Sequence, residues 1–118
     1  MFDGRSFFHV GEYLLPHISD EAVARTVVGR AYYAAFHAGR ALAERTGHPL
    51  ARGPAGHRQL GERLAKIEPA VAEDLNRLRR LRNEADYDTT MTDPQSAAVI
   101  AMDLARAVID SLDSTAGA

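Results

Sequence analysis

The densest chemistry in this 118-residue chain lies between positions 77 and 88. Arg77, Arg79, Arg80 and Arg82 are followed there by Asn83, Asp86 and Tyr87. Guanidinium groups meet phosphate oxygens in a planar fork, so such a cluster is a candidate phosphate contact. The competing reading is a solvated helix face balanced by nearby acids. Arg82 and Asp86 are four apart and can pair on one face, an interaction worth about 0.3–0.5 kcal/mol by itself. Tyr87 is five residues after Arg82, roughly 140° round an ideal helix from it. Arg80, seven before Tyr87, lies nearly on the tyrosine's own face, and the competing reading of this segment is a helix end with the tyrosine tucked into the core and ion pairs outside.

A second group is aromatic and imidazole. Tyr32 and Tyr33 can stack on bases or belong to a core. Adjacent helical residues point about 100° apart, so the two are not equally buried. His37, mid-helix among apolar residues, reads as a hydrogen-bonded, semi-buried histidine. His57, beside a Gly-rich loop, reads as a surface residue. Either matters to chemistry only if the fold carries it to the arginines.

Other chemistries find no support. None of the five histidines forms a helical zinc pair, and there is no His-Glu-x-x-His. GPAGHRQLGE has glycines but follows no strand and lacks a Gly-Lys-Ser/Thr, so it is no phosphate loop. No serine sits in a Gly-x-Ser-x-Gly turn. With no cysteine there is no disulfide, thiolate ligand or thiol nucleophile. Neither a metal nor a cofactor is expected. The start of the chain shows no signal-peptide pattern, and no window approaches 18 uninterrupted apolar residues. The expectation is a cytoplasmic protein that does not enter a membrane.

Net charge is −2, but its distribution is uneven. Residues 1–82 hold 13 of the 14 basic and 9 of the 16 acidic side chains, a balance of +4. Residues 83–118 hold Arg106 against seven acids, a balance of −6.

The elements that must position these groups are helices. Phe7, Val10, Tyr13 and Leu14 recur at helical spacing, and Pro16 should stop that short helix. Ser19 suits an N-cap, and a long helix follows over about 20–46, closed by Gly47 and Pro49. Its small residues Gly29, Ala31, Ala34, Ala35, Ala38 and Gly39 permit close helix approach. Residues 48–56 read as a loop, and 57–67 as a helix with Leu60, Leu64 and Ile67 inward. Pro69 opens the next helix, whose core face is Val71, Leu75, Leu78, Leu81 and Ala85. The run 86–93 breaks it. Asp93 then caps a last helix with Pro94 at its first position and Ala97, Ile100, Ala101, Leu104, Val108 and Leu112 inward. Residues 1–5 and 114–118 are expected to fray. The architecture expected is all-α, one domain, a four- to five-helix antiparallel, up-and-down bundle.

The segment RAYYAAFHAGRAL (30–42), His57 after the central loop, and LRNEADYD (81–88) together resemble the HEPN superfamily. More narrowly, they resemble its short, single-domain prokaryotic branch, with an R-A-Y-Y-A-A-F-H segment early and an A-D-Y-D segment later. The resemblance spans about residues 5–113. It implies a helical bundle that forms a homodimer and serves a toxin–antitoxin or defence-type system. It also implies metal-independent endoribonuclease chemistry on RNA or nucleotides, with a minimal nucleotidyltransferase as partner.

The family's catalytic signature is Arg, a polar residue, three variable residues, then His. Arg82 and Asn83 match its first two positions, and Tyr87 stands where the histidine would be. A histidine with a pKa near about 6.5 can move protons at neutral pH, whereas a tyrosine near about 10 is a poor base. Weak or altered activity is the expectation, with His57 or His37 able to supply the imidazole. The resemblance thus points to Arg82, Asn83, Tyr87 and His57 for catalysis. Arg79, Arg80, Asp86, Tyr33 and His37 are the candidate RNA or nucleotide contacts. Arg82 and Tyr87 should lie partly exposed in a cleft near a two-fold interface. The alternative is a helical module without chemistry that binds a protein partner or a nucleotide.

Overall fold

The structure is a computed structural model that describes residues 2–117. Its helices are α1 (Arg5–Leu14), α2 (Glu21–Arg45), α3 (Pro54–Ile67), α4 (Pro69–Tyr87) and α5 (Pro94–Gly117), with one 3-10 turn at Leu15–His17. No strand occurs among the described residues, and they form the all-helical bundle that the periodicity predicts. Nor is any described helix long and apolar enough to cross a membrane.

Helix α2 is the axis of the packing. It lies most extensively against α5 and is flanked by α1 and α4, while α3 leans on α4 and touches α2 only lightly. Alanines Ala24, Ala31, Ala34 and Ala35 of α2 and Ala98, Ala101 and Ala105 of α5 are wholly buried. Small side chains on both helices let their backbones come close. Gly39 does the same for α3: a Cβ there would meet Leu60 Cδ2 at 2.5 Å.

Several boundaries differ from those expected. Pro16 does not end the helical path at once but sits inside the 3-10 turn, where a missing N–H leaves no bond unmade. Asp20, not Ser19, caps α2: its backbone is extended and its carboxylate accepts the Ala22 N–H at 2.9 Å. Gly47 at φ 81° closes that helix as expected. Helix α3 starts at Pro54 rather than His57, because Gly53 at φ 71° turns the chain into a helix-ready proline. His57 therefore lies inside α3, near its start. Helix α4 continues through Tyr87 before stopping at Asp88.

Some inward residues also differ. Ile67 is 63% exposed and Ile100 is exposed as well. In α1 the buried line is Phe8 and Gly11, while Val10 and Tyr13 face out. The buried side of α5 is wider than one stripe and includes Ala98, Met102, Ala105 and Ile109. Phe2 stacks edge-on to Phe7 at 5.1 Å, Gly4 is buried against His37, and the α5 backbone runs on to Gly117. Met1 and Ala118 lie outside the described residues.

Candidate functional site

Three helices converge on one polar, aromatic cluster. Helix α2 supplies Tyr32, Tyr33 and Phe36, α3 supplies His57, and α4 supplies Arg79, Arg82 and Asp86. His57 is placed by the loop before it. Gly56 is buried where a Cβ would stand 2.1 Å from the Ala51 carbonyl oxygen, so the loop folds directly onto the start of α3. The imidazole then stacks on Phe36 at 4.0 Å between centroids.

The hydroxyl of Tyr32 lies 2.5 Å from His57 Nδ1. Tyr32 is 1% exposed, and burial pushes its pKa up to about 12 even though Arg79 and Arg82 pull it down. Burial also lowers the His57 pKa, and Arg79, Arg82 and His37 add to that. Near neutral pH both groups are therefore uncharged. Where the protonated tyrosine donates to Nδ1, the remaining ring proton of His57 sits on Nε2. In this tautomer His57 offers a donor, not a base.

Arg82 is held on two sides. Its Nη2 donates to the Tyr33 hydroxyl at 2.8 Å, and its Nε lies 3.0 Å from Asp86 Oδ2. That second contact is an ion pair without hydrogen-bond alignment, since Nε is buried and finds no aligned acceptor. Nη1 has only a long 3.5 Å contact with Asn83 Oδ1, which leaves an edge available to a ligand. The guanidinium carbon sits 5.3 Å from the Tyr33 ring centroid and 5.9 Å from that of Tyr32. An anion here would meet two guanidinium groups, one carboxylate, and aromatic walls.

The other expected residues divide. Arg79 is half-buried and acts electrostatically on both Tyr32 and His57. Asn83 is exposed at the edge. His37 is half-buried beside Phe2, Phe7 and Phe36, and burial and Arg40 lower its pKa against the opposing pull of Glu44. Tyr87 is 74% exposed, and Arg80 is exposed too, as their shared helix face requires. Tyr87 is thus not in the cluster with Arg82; the helical offset carries it outward.

The sequence did not expose three contributors. Tyr32 appeared only as a stacking or core residue, although its spacing from Phe36 already put both on one face. Arg30 lies over the Phe7 and Tyr33 rings at 5.2 and 5.6 Å. Arg25 ties α2 to the end of α4: its Nη1 donates to the carbonyls of Asp88 at 2.7 Å, Ala85 at 3.0 Å and Glu84 at 3.3 Å. Its Nε pairs with Glu21 at 2.9 Å. A cation at a helix C-terminus satisfies carbonyls that otherwise lack donors. No local signal announces a bond between residues about sixty positions apart. Comparison with protein-family models, curated proteins and solved structures returns no match to this chain.

Proposed function

We propose that this chain is a HEPN-like protein whose Arg82 cluster binds the phosphates of RNA or a nucleotide, with slow metal-independent RNA cleavage as its activity. The observation that carries the reading is the convergence of Arg79, Arg82, Tyr33 and His57 from three helices. Arg82, through its free Nη1 edge, and Arg79 would stabilise negative charge on a phosphate under attack. His57 Nε2–H would donate to a phosphate or leaving oxygen, with Tyr32 fixing the ring. Because His57 is set as a donor, the 2′-hydroxyl lacks a dedicated base, which accounts for the weak activity expected. Tyr87 takes no part in this site.

In this reading the protein is a cytoplasmic homodimer and the toxin or neutraliser of a toxin–antitoxin or defence-type system, with a minimal nucleotidyltransferase as protein partner. The test is labelled structured RNA incubated with the purified protein and a chelator, beside Arg82→Ala, His57→Ala and Tyr87→Phe. Cleavage by wild type and Tyr87→Phe, lost in the other two, is the expected result. Without a base the rate should climb through pH 6–9 rather than level off near an imidazole pKa. Retained cleavage in Arg82→Ala would remove the reading.

One observation favours a second reading, a partner-binding module without chemistry. Tyr87 and Arg80 stand exposed together on the outer face of α4, the kind of aromatic and arginine pair that anchors protein contacts. Co-purification with a neighbouring nucleotidyltransferase, lost in Tyr87→Ala, would distinguish it.

A further inference from the structure

Arg30 is a half-buried cation with no carboxylate. Among the described residues it makes no ion pair, whereas Arg25 is matched by Glu21 and Arg82 by Asp86. Its Nε is buried and donates to nothing. The aromatic rings of Phe7 and Tyr33 hold the guanidinium by cation–π attraction. Such rings attract charge but accept few of the five N–H donors. A buried donor left unpaired is costly, and an external anion is one physical explanation for its presence.

The position of Arg30 narrows the anion. Arg30 and Arg82 both lie against Tyr33, at 5.6 and 5.3 Å from its ring centroid. Asp86 pairs with only one of them. Arg82 Nη1 is engaged only by the long contact to Asn83, so each guanidinium keeps donors for an oxyanion. The hydroxyl of Tyr33 is spoken for by Arg82, which fixes the ring against which both cations lie.

We propose that Arg30 and Arg82 each hold one of two successive phosphate groups of a single ligand across the Tyr33 ring. The site then takes a di- or polyphosphate: a nucleoside polyphosphate or adjacent phosphodiesters of RNA. This rests on the reading of Arg82 as a phosphate contact and adds the second phosphate to it.

Isothermal titration of the full chain with orthophosphate, inorganic pyrophosphate, ADP and a short single-stranded RNA tests it. Wild type should bind pyrophosphate at least about tenfold more tightly than orthophosphate, the gain of a second charge-assisted contact. Arg30→Met, which keeps the apolar stem, should erase that preference. Arg30→Lys, which keeps the charge, should restore part of it and guards against a Met variant that folds poorly by circular dichroism. ADP binding more tightly than the RNA assigns the nucleotide source, and the reverse assigns RNA; both support the two-phosphate site. Equal affinity of wild type for pyrophosphate and orthophosphate, or an unchanged preference in Arg30→Met, would overturn it. Phosphate affinity that survives Arg82→Ala would overturn this inference together with its parent reading. RNA left uncut while pyrophosphate preference persists would sink the cleavage reading alone.

Discussion

Helix α2 separates two kinds of interior. Toward α5 the seam is dry and built of small and aliphatic side chains, with Ala98, Ala101, Ala105 and Val108 wholly buried. Toward α3 and α4 it is aromatic and polar, with Tyr32 bonded to His57 and Arg82 wedged between Tyr33 and Asp86. The first region is held by non-directional burial and tight packing, which tolerate no missing volume. The second holds groups whose protonation and geometry matter more than their volume. Stability should therefore reside mainly in one flank and ligand chemistry in the other.

The largest effect should come from the apolar side of the bundle, where α5 meets α1. Met102, buried with its Sδ where a Cβ on Gly11 would stand 2.6 Å away, leaves a cavity when cut to Ala. Denaturant unfolding of Met102→Ala should show a loss of about 2–5 kcal/mol with phosphate binding unchanged. If binding falls with stability, the two flanks are not separable.

Arg25→Ala should follow, since it strips several donors from the end of α4 and leaves Glu21 unpaired. A loss of about 1.5–3 kcal/mol is expected from hydrogen bonds to a charged group. Hydrogen exchange should quicken first at residues 84–89. Uniform loss of protection instead would show that α4 does not depend on this clasp.

Tyr32→Phe keeps the ring and removes only the hydroxyl. Unfolding should register about 1 kcal/mol, and the imidazole of His57 should titrate differently by NMR. An unshifted titration would deny the Tyr32–His57 bond any electrostatic role.

Mild acidification reports on two histidines, His57 on the polar flank and His37 beside Phe2 and Phe7. The folded pKa values of His57 and His37 lie below their ordinary 6.5, so the folded protein binds fewer protons than the unfolded chain. Their contribution is fully present above pH 6.5 and is lost as pH falls through the lowered folded values. The melting temperature should drop on that side, and His57→Gln should flatten the dependence. A curve equally steep in the variant would place the titration elsewhere.

The smallest effect should be Tyr87→Phe, within about 0.5 kcal/mol of wild type in stability. At 74% exposure the hydroxyl loses no packing. Lost phosphate binding in this variant would return Tyr87 to the site.

How much of this was legible can be judged residue by residue. The bundle was legible because period-3.6 apolar spacing, Pro69 and Pro94 at helix starts, and Gly47 at a helix end are local signals. The Arg82–Asp86 pair was equally legible, being four residues apart on one helix. Errors fell where locality gave out. Ile67 and Ile100 continue apolar stripes, yet both are exposed.

The sequence by itself determined the helical class and the arginine-rich face of α4, because each depends only on spacing along one helix. Only the tertiary structure decided that His57 meets Tyr32, that Arg82 meets Tyr33 and that Arg30 has no carboxylate partner among the described residues. Those contacts join residues 25 and 49 positions apart, and one of them is an absence. They depend on how α2, α3 and α4 are set against one another, and packing decides that rather than any local rule.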